Sequence, residues 1–453
     1  MVFMEKAGKP AVAIVSAGFE EDAAITGRVL GMPGLRFLTV PHVLTGLPDE
    51  QIEHEIEGTL SSAIEFLTQA VAGTSGGGHS VQAVGQQVAE SFRGGDEPDA
   101  WRRMTAAFLE RGWSDGFPII PPTPERVTTM LGGTSLAPDY VVGILPPGNG
   151  IATVEKIAIN CVMAGCRPAH LPVMIAGVES ILAHAGPGYD MSTTCAAPLM
   201  LVNGPIVREL GINSGRCALG PGAQSATNIA LGRALRLIKM NIGFNRPGLM
   251  DMDTIGSPTK FSLCLGENEA ASPWEPFHAE MGFDPRHSTV TVFDIVNQKE
   301  LADMYNTTPE GILDTFAFLT SVSPMHYGYY GSNEGGGSGY LILVSPEHAS
   351  ILARHGWSKD STKKYVWQRA RIPASRHSNQ NQLRHAGVIA NHWKKFLKQP
   401  SAVLDKTLLP VVETPDLYNL VVVGGQAGKS LAFSSSNKFA VIEIKNRTGL
   451  GAT

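Results

Sequence analysis

No apolar run in the chain approaches the roughly 18 residues that a membrane-spanning helix needs; the longest, such as "AVAIV" and "LVVVGG", are far shorter. No membrane partner is expected. Basic clusters are missing too: the 36 Lys and Arg residues are scattered and outweighed by 41 acidic ones, for a formal charge of −5. That excludes a phosphate-tracking stripe, and with it a nucleic-acid partner. Cysteine is scarce, with five residues and none before Cys161, unlike the dense framework of a secreted disulfide scaffold. The N-terminus has no long apolar segment and passes from "AVAIV" into the acidic "FEEDA", so no signal peptide is expected. A cytoplasmic location with reduced thiols follows.

Glycine and proline, by contrast, are plentiful at 50 and 30 residues, without periodicity, which implies many tight turns between short elements. A length of 453 residues with 43 % hydrophobic content supports two or three domains. Residues 11–71 spell a βαβα unit. "AVAIVS" and "LRFLTV" are strands, and "FEEDAAITGRVLG" is a helix closed by Gly31. A second helix carries Ile52, Ile56, Leu60, Ile64 and Leu67 on one face. Such alternation predicts a parallel sheet, whose ligands gather at strand carboxyl ends, here Ser16 to Gly18 and Pro41 with His42. His42 equally suits a turn cap. The fold expected is α/β: a small parallel βαβα N-terminal domain (1–72), a glycine-rich linker (73–100), and a larger mixed α/β domain (101–453) with an irregular insertion around 245–340.

Several stretches carry chemistry. In "GWSDGFPIIPPT", Ser114 and Asp115 lie between Trp113 and Phe117 on a proline-fixed loop, which suits acid–base work by the carboxylate or simply an Asp-Gly turn. "TVEKIAINCVMAGC" reads as a helix with Thr153 as N-cap and Gly165 as stop. Lys156 then sits at the positive end of the helix dipole, disfavoured by roughly 0.3 to 1 kcal/mol, with Asn160 on the same face. An anionic guest would explain it, and so would a side chain reaching solvent. Cys161 and Cys166 point about 140° apart on a continuous helix, so they are read as inert unless the helix ends between them.

In "MSTTCAAPLMLVNGPI", Thr194 and Asn203 flank a buried strand and Cys195 is the best-placed thiol nucleophile. "LGPGAQSATNIALGRALRLIKMNIG" predicts a helix capped by Ser225 or Thr227, with Arg233, Arg236 and Lys239 as weak anion signals. "SLCLGENEAASPWEPFH" packs Glu267, Asn268, Glu269, Glu275 and His278 into twelve residues. They are read as a polar pocket wall in preference to a hard-metal site, because Pro276 interrupts the Glu275 to His278 spacing. No cofactor is predicted. "VVVGGQAGKS" fails as a P-loop, since position 423 is valine where the pattern requires glycine.

"VSAGFEEDA" with "LGMPGLRFLTVPH" resembles the N-terminal region of the UGSC family. "RGWSDGFPIIPPT", "ATVEKIAINCVMAGCRP", "VNGPI", "GPGAQSATNIALGRALRLI", "ENEAASPWEPFH", "SPEHASILARHGWSK" and "VVVGGQAG" resemble the large region of its longer members. The family's name implies a selenocysteine or cysteine followed by Gly-Ser-Cys after an early strand, as in thiol or selenol redox chemistry. That motif is absent here, which shifts the expectation towards acid–base chemistry in a pocket that includes Asp115, Lys156, Asn203, Arg233 and Glu267. The leading expectation is a metal-independent lyase or hydrolase for a small anionic organic molecule, possibly sulfur- or nitrogen-containing. Lys156 and Asp115 would be its acid–base groups, with Cys195 as a further catalytic candidate. Ser114, Asn160, Thr194, Asn203, Ser225, Arg233, Glu267 and Asn268 would bind substrate. A thiol-dependent oxidoreductase using Cys195 or Cys166, and a non-catalytic binding subunit, are the alternatives. A homodimer is expected.

Overall fold

The computed structural model describes residues 2–29, 32, 34–41, 48–68, 89–184, 193–322, 338–376, 399–436 and 438–445. Gly31, His42 and linker residues 73–88 lie outside the described residues. The chain divides into two compact units, Met1–Ser91 with Asn245–Met252, and Phe92–Phe244 with Asp253–Thr453.

The first unit begins with α1 (Val2–Lys6) and continues as β1 (Ala13–Ser16), α2 (Glu20–Val29), β2 (Phe37–Val40) and α3 (Asp49–Thr68). β1 and β2 pair in parallel, Ala13 opposite Phe37 through Ser16 opposite Val40. This is the small parallel sheet that the βαβα pattern predicts. The periodic face of α3 differs from expectation, because Ile56, Leu60, Ile64 and Leu67 are all exposed. The cause is geometric: four-residue strands are about 13 Å long, whereas a 20-residue helix runs about 30 Å. The sheet is too small to cover the helix.

The second unit is a mixed α/β body. It opens with α4 (Glu97–Glu110), α5 (Pro124–Leu131) and the antiparallel pair β3 (Val141–Leu145) and β4 (Gly150–Thr153). α6 (Val154–Ala164) and α7 (Leu171–His184) precede β5 (Ala197–Asn203), α8 (Ile206–Glu209) and α9 (Ala226–Asn241). Next come β6 (Cys264–Gly266), α10 (Phe277–Glu280), β7 (Thr289–Ala302) and α11 (Pro309–Ser321). β8 (Ser338–Val344), α12 (Pro346–Arg354), α13 (Lys359–Arg369) and β9 (Arg371–Pro373) follow. α14 (Ser401–Lys406), β10 (Leu408–Pro410), β11 (Tyr418–Val422), β12 (Lys429–Ser436) and β13 (Val441–Glu443) complete the unit.

Its main sheet has the order β11-β8-β12-β7-β5-β6, with β13 also on β7. The expectation of an irregular insertion at 245–340 is therefore corrected. The "STVTVFDIV" stretch alternates with the period of a strand, and β7 is the spine against which β5, β12 and β13 all pair. The sheet curls, bringing its two edges together: Asn268, just past β6, donates its N–H to the carbonyl of Val422, the last residue of β11, at 2.8 Å, and Gly424 N–H donates to the Ser214 carbonyl at 2.8 Å.

Strand alternation sorts side chains into three apolar clusters. Leu199, Leu201, Leu265, Phe293, Leu343, Val421 and Phe433 fill the concave inner face. Met200, Val202, Val290 and Val292 face outward onto α6, α7 and α9, while Ile342, Val344, Leu420 and Val422 face α11, α12 and α13. "VVVGGQAGKS" joins strand to strand rather than strand to helix, consistent with its failing the P-loop pattern. Among the described residues no helix is long and apolar enough to cross a membrane.

Candidate functional site: a buried carboxylate at the end of the inner sheet face

The inner face turns polar at one end. Asn203 continues the inward series Ala197, Leu199, Leu201, and Glu267 continues Leu263 and Leu265. Thr289 and Thr291 precede Phe293 and Ile295 on the same face of β7, and Asn203 lies directly opposite Thr289 in the β5/β7 register. All four are buried.

Glu267 Oε2 accepts from Asn203 Nδ2 at 2.5 Å and from the Phe277 N–H at 2.7 Å. Glu269 Oε1 accepts from Gly204 N–H at 2.7 Å and from Asn203 Nδ2 at 3.4 Å. Glu267 Oε1, Asn203 Oδ1 and the hydroxyls of Thr289 and Thr291 have no hydrogen-bond partner among the described residues. His278 is wholly buried, and its Nδ1 lies 3.9 Å from Glu269 Oε1. Nearby, Glu280 takes Lys359 at 3.1 Å on one oxygen and Lys363 on the other.

Burial pushes the Glu267 carboxyl up to about 7. The Lys359 ammonium, the Phe277 N–H and the Asn203 amide oppose that rise, and Glu269 adds to it. The His278 imidazole is held below its ordinary value, first by burial and then by Lys359, against the pull of Glu269, the Pro285 carbonyl and Asp284. Glu280 is held down by its two lysines against the opposing effect of burial. A carboxyl that changes charge near neutrality, oriented by two N–H donors on one oxygen and free on the other, is equipped to take up or release a proton.

The other expected residues are placed as follows. Thr153 caps α6, accepting from Lys156 N–H at 3.3 Å, and Gly165 ends the helix at φ 86°. Lys156 Nζ donates to the Ile151 carbonyl at 3.0 Å. Asn160 Nδ2 donates to the Lys156 carbonyl, and its Oδ1 accepts from Asn241 Nδ2. Replacing Lys156 with Met removes one hydrogen bond from a charged donor, so a loss of about 1 to 2 kcal/mol is expected in urea unfolding.

Asp115 forms a bidentate pair with Arg233, Nε to Oδ2 at 2.7 Å and Nη2 to Oδ1 at 2.8 Å. Ser114 Oγ donates to the Phe117 carbonyl, closing the same loop. Lys239 faces Asp294 at 3.8 Å. Arg233 and Lys239 of α9 thus meet carboxylates of the chain itself. Ser225 occupies the N-cap position of α9, yet its hydroxyl donates to the Cys217 carbonyl at 2.6 Å and makes no cap bond. Asn268 ties the sheet edges through its backbone and donates Nδ2 to the Gly424 carbonyl at 3.3 Å. Asn203 and Glu267 are therefore brought together, while Asn160 is linked through Asn241 Nδ2 to the Trp113 carbonyl, on the loop that holds Asp115 against Arg233, and Ser225 bonds to Cys217 instead.

Thr194 lies in the bend before β5, where its carbonyl accepts from Ala196 N–H, and Cys195 Sγ donates to the Val296 carbonyl at 3.3 Å. The helix end at Gly165 turns Cys166 back, so that its N–H reaches the Cys161 carbonyl at 2.9 Å. Burial raises the thiols of Cys161 and Cys264, while Cys217 is exposed. Ellman's reagent should accordingly modify Cys217 in the folded protein and reach Cys161 and Cys264 only after denaturation. Glu275 is exposed while His278 is buried, so the spacing between them does not make a ligand pair. Among the described residues no three His, Cys, Asp or Glu side chains converge as a metal set.

Sequence reasoning missed Thr289, Thr291 and Lys359. The alternation in "STVTVFDIV" was the available signal for the two threonines, since it puts both on the face of Phe293 and Ile295. Lys359 gives no such signal.

The fold and site together define a mixed α/β protein with a buried carboxyl, its pKa raised by that burial, at the end of a curled sheet. Residues 2–69 match the model of the UGSC family, as the N-terminal motifs imply. The site described above lies outside the matched residues. No curated protein and no solved structure matches the chain.

Proposed function

We propose that the protein is an acid–base enzyme, a lyase or hydrolase acting on a small organic molecule, with Glu267 as the proton carrier. The observation that carries this is Glu267 itself: 2 % exposed, with Oε2 held by two N–H donors and Oε1, like Asn203 Oδ1 and the Thr289 and Thr291 hydroxyls, unpaired among the described residues. Glu267 joins Lys156 and Asp115 as an acid–base candidate and is preferred to them. The Lys156 ammonium donates to a carbonyl and the Asp115 carboxylate is neutralised by Arg233. Cys195 and Cys166, the candidates for thiol chemistry, donate their thiols to the Val296 and Ala230 carbonyls, which favours acid–base over thiol chemistry. The large region is proposed to be that of a long UGSC-family member, located in the cytoplasm and acting as a homodimer, for which light scattering should give the mass of two chains.

Proton NMR of the protein with mixed small amides, amines and hydroxy acids in D2O tests the chemistry. Consumption or deuterium exchange of one component is expected with the wild-type protein and not with Glu267→Gln. Equal turnover by the variant would refute the role of Glu267.

A further inference from the structure

The unpaired atoms at the end of the inner face have a definite hydrogen-bonding character. Asn203 Nδ2 points at two carboxylate oxygens, Glu267 Oε2 and Glu269 Oε1, which fixes the amide orientation and leaves Oδ1 as an acceptor. Glu267 Oε1 is a second unpaired oxygen. The Thr289 and Thr291 hydroxyls can each donate or accept. Asn203 and Thr289 are directly opposed across two strands, so their Cβ atoms are roughly 5 Å apart. Thr291 stands two residues along the same face.

The charges around these atoms disfavour an anion. Glu267, Glu269 and Glu280 carry three negative charges when ionised, against two positive charges from Lys359 and Lys363, and both lysines are engaged by Glu280. A second carboxylate brought to Glu267 would meet like charge in a buried setting. Two oxygen acceptors and two hydroxyls instead match one chemical group. A primary amide has two N–H donors for the acceptors and a carbonyl oxygen with two lone pairs for the hydroxyls.

We propose that the site formed by Asn203, Glu267, Thr289 and Thr291 binds a primary carboxamide or urea-type group on an uncharged small molecule. This rests on the reading of Glu267 as the working residue of the site and names the substrate class. It differs from the anionic molecule expected from Lys156 and Arg233, because those cations have partners elsewhere in the second unit.

Ligand-observed NMR at pH 8 with matched probes tests it: propionamide against propionate, and benzamide against benzoate. The amide of each pair should bind at least tenfold more tightly than its carboxylate. Thr289→Val combined with Thr291→Val keeps side-chain shape and removes only unpaired hydroxyls, so this variant should fold with unchanged or higher stability. It should weaken amide binding about tenfold or more. Carboxylates binding as well as amides, neither class binding, or amide binding indifferent to the double substitution would each overturn the proposal. A marked loss of stability in the double variant would do so too, since it would mean the hydroxyls are already paired. Titration of the Glu267 carboxyl separates the two readings. Amide binding with an ordinary titration retains the ligand class and removes the acid–base role, whereas titration near 7 without amide binding does the reverse.

Discussion

Glu267→Gln is expected to be more stable than the wild-type protein at pH 8, by about 3 kcal/mol, and no more stable than wild type at pH 4. The folded-state value near 7 lies above the ordinary 4.5 of a glutamate, so the native state holds this proton more tightly than the unfolded chain does. For a carboxyl raised in this way, the stabilising contribution is fully present below pH 4.5 and is lost as pH rises through 7. The gap of about 2.5 units corresponds to about 3 kcal/mol at 1.36 kcal/mol per unit. Glutamine mimics the protonated form at every pH: its carbonyl oxygen can accept from the Asn203 amide and the Phe277 N–H as Oε2 does. Urea unfolding at the two pH values checks this. A constant difference between variant and wild type across the range would mean that Glu267 titrates normally. The gain in stability should come with loss of the proposed activity, because the group that is awkward to bury charged is the one proposed to move the proton.

Asp115→Ala is expected to destabilise the second unit by about 3 kcal/mol or more, as removing one partner of a buried ion pair does. The Arg233 side chain is 15 % exposed and that of Asp115 4 %, so the guanidinium would be left largely desolvated without its carboxylate. The pair also joins two parts of the chain 118 residues apart, the loop before α5 and the middle of α9. Arg233 further donates to the Phe117 carbonyl at 3.3 Å and lies 5.8 Å from the centre of the Phe117 ring, which packs on Phe261. Pairing Asp115→Ala with Arg233→Met should restore most of the lost stability, because the second change removes the stranded charge. Denaturant midpoints for the two single variants and the double variant close the cycle. Strict additivity would show that the pair does not act as a unit.

The contrast between these two carboxylates explains how much of the site was legible beforehand. Local signals carried far. Thr153 and Gly165 mark the ends of α6, the early strands mark a parallel sheet, and the apolar run before Asn203 marks a buried strand. Asn203 and Glu267 were each recognisable as polar residues ending apolar stretches, but their hydrogen bond depends on β5 and β6 lying side by side in parallel. The same holds for Asp115 and Arg233, where an aromatic-flanked carboxylate and a basic helix suggested catalysis and anion binding. Tertiary packing instead puts one against the other. Lys156 illustrates a third case. The dipole argument singled out a cation in the first turn of α6, and the Ile151 carbonyl, five residues earlier, accepts from it. Residues whose roles depend on strand register, such as Thr289 opposite Asn203, become visible only once the pairing is known.

The central claim is that Glu267 changes charge near neutral pH, and a ¹³C NMR titration of side-chain carboxyl carbons, with the Glu267 resonance assigned by its absence in Glu267→Gln, tests it most directly. A midpoint near pH 7 is predicted. A midpoint near 4.5, the ordinary value, would contradict the account.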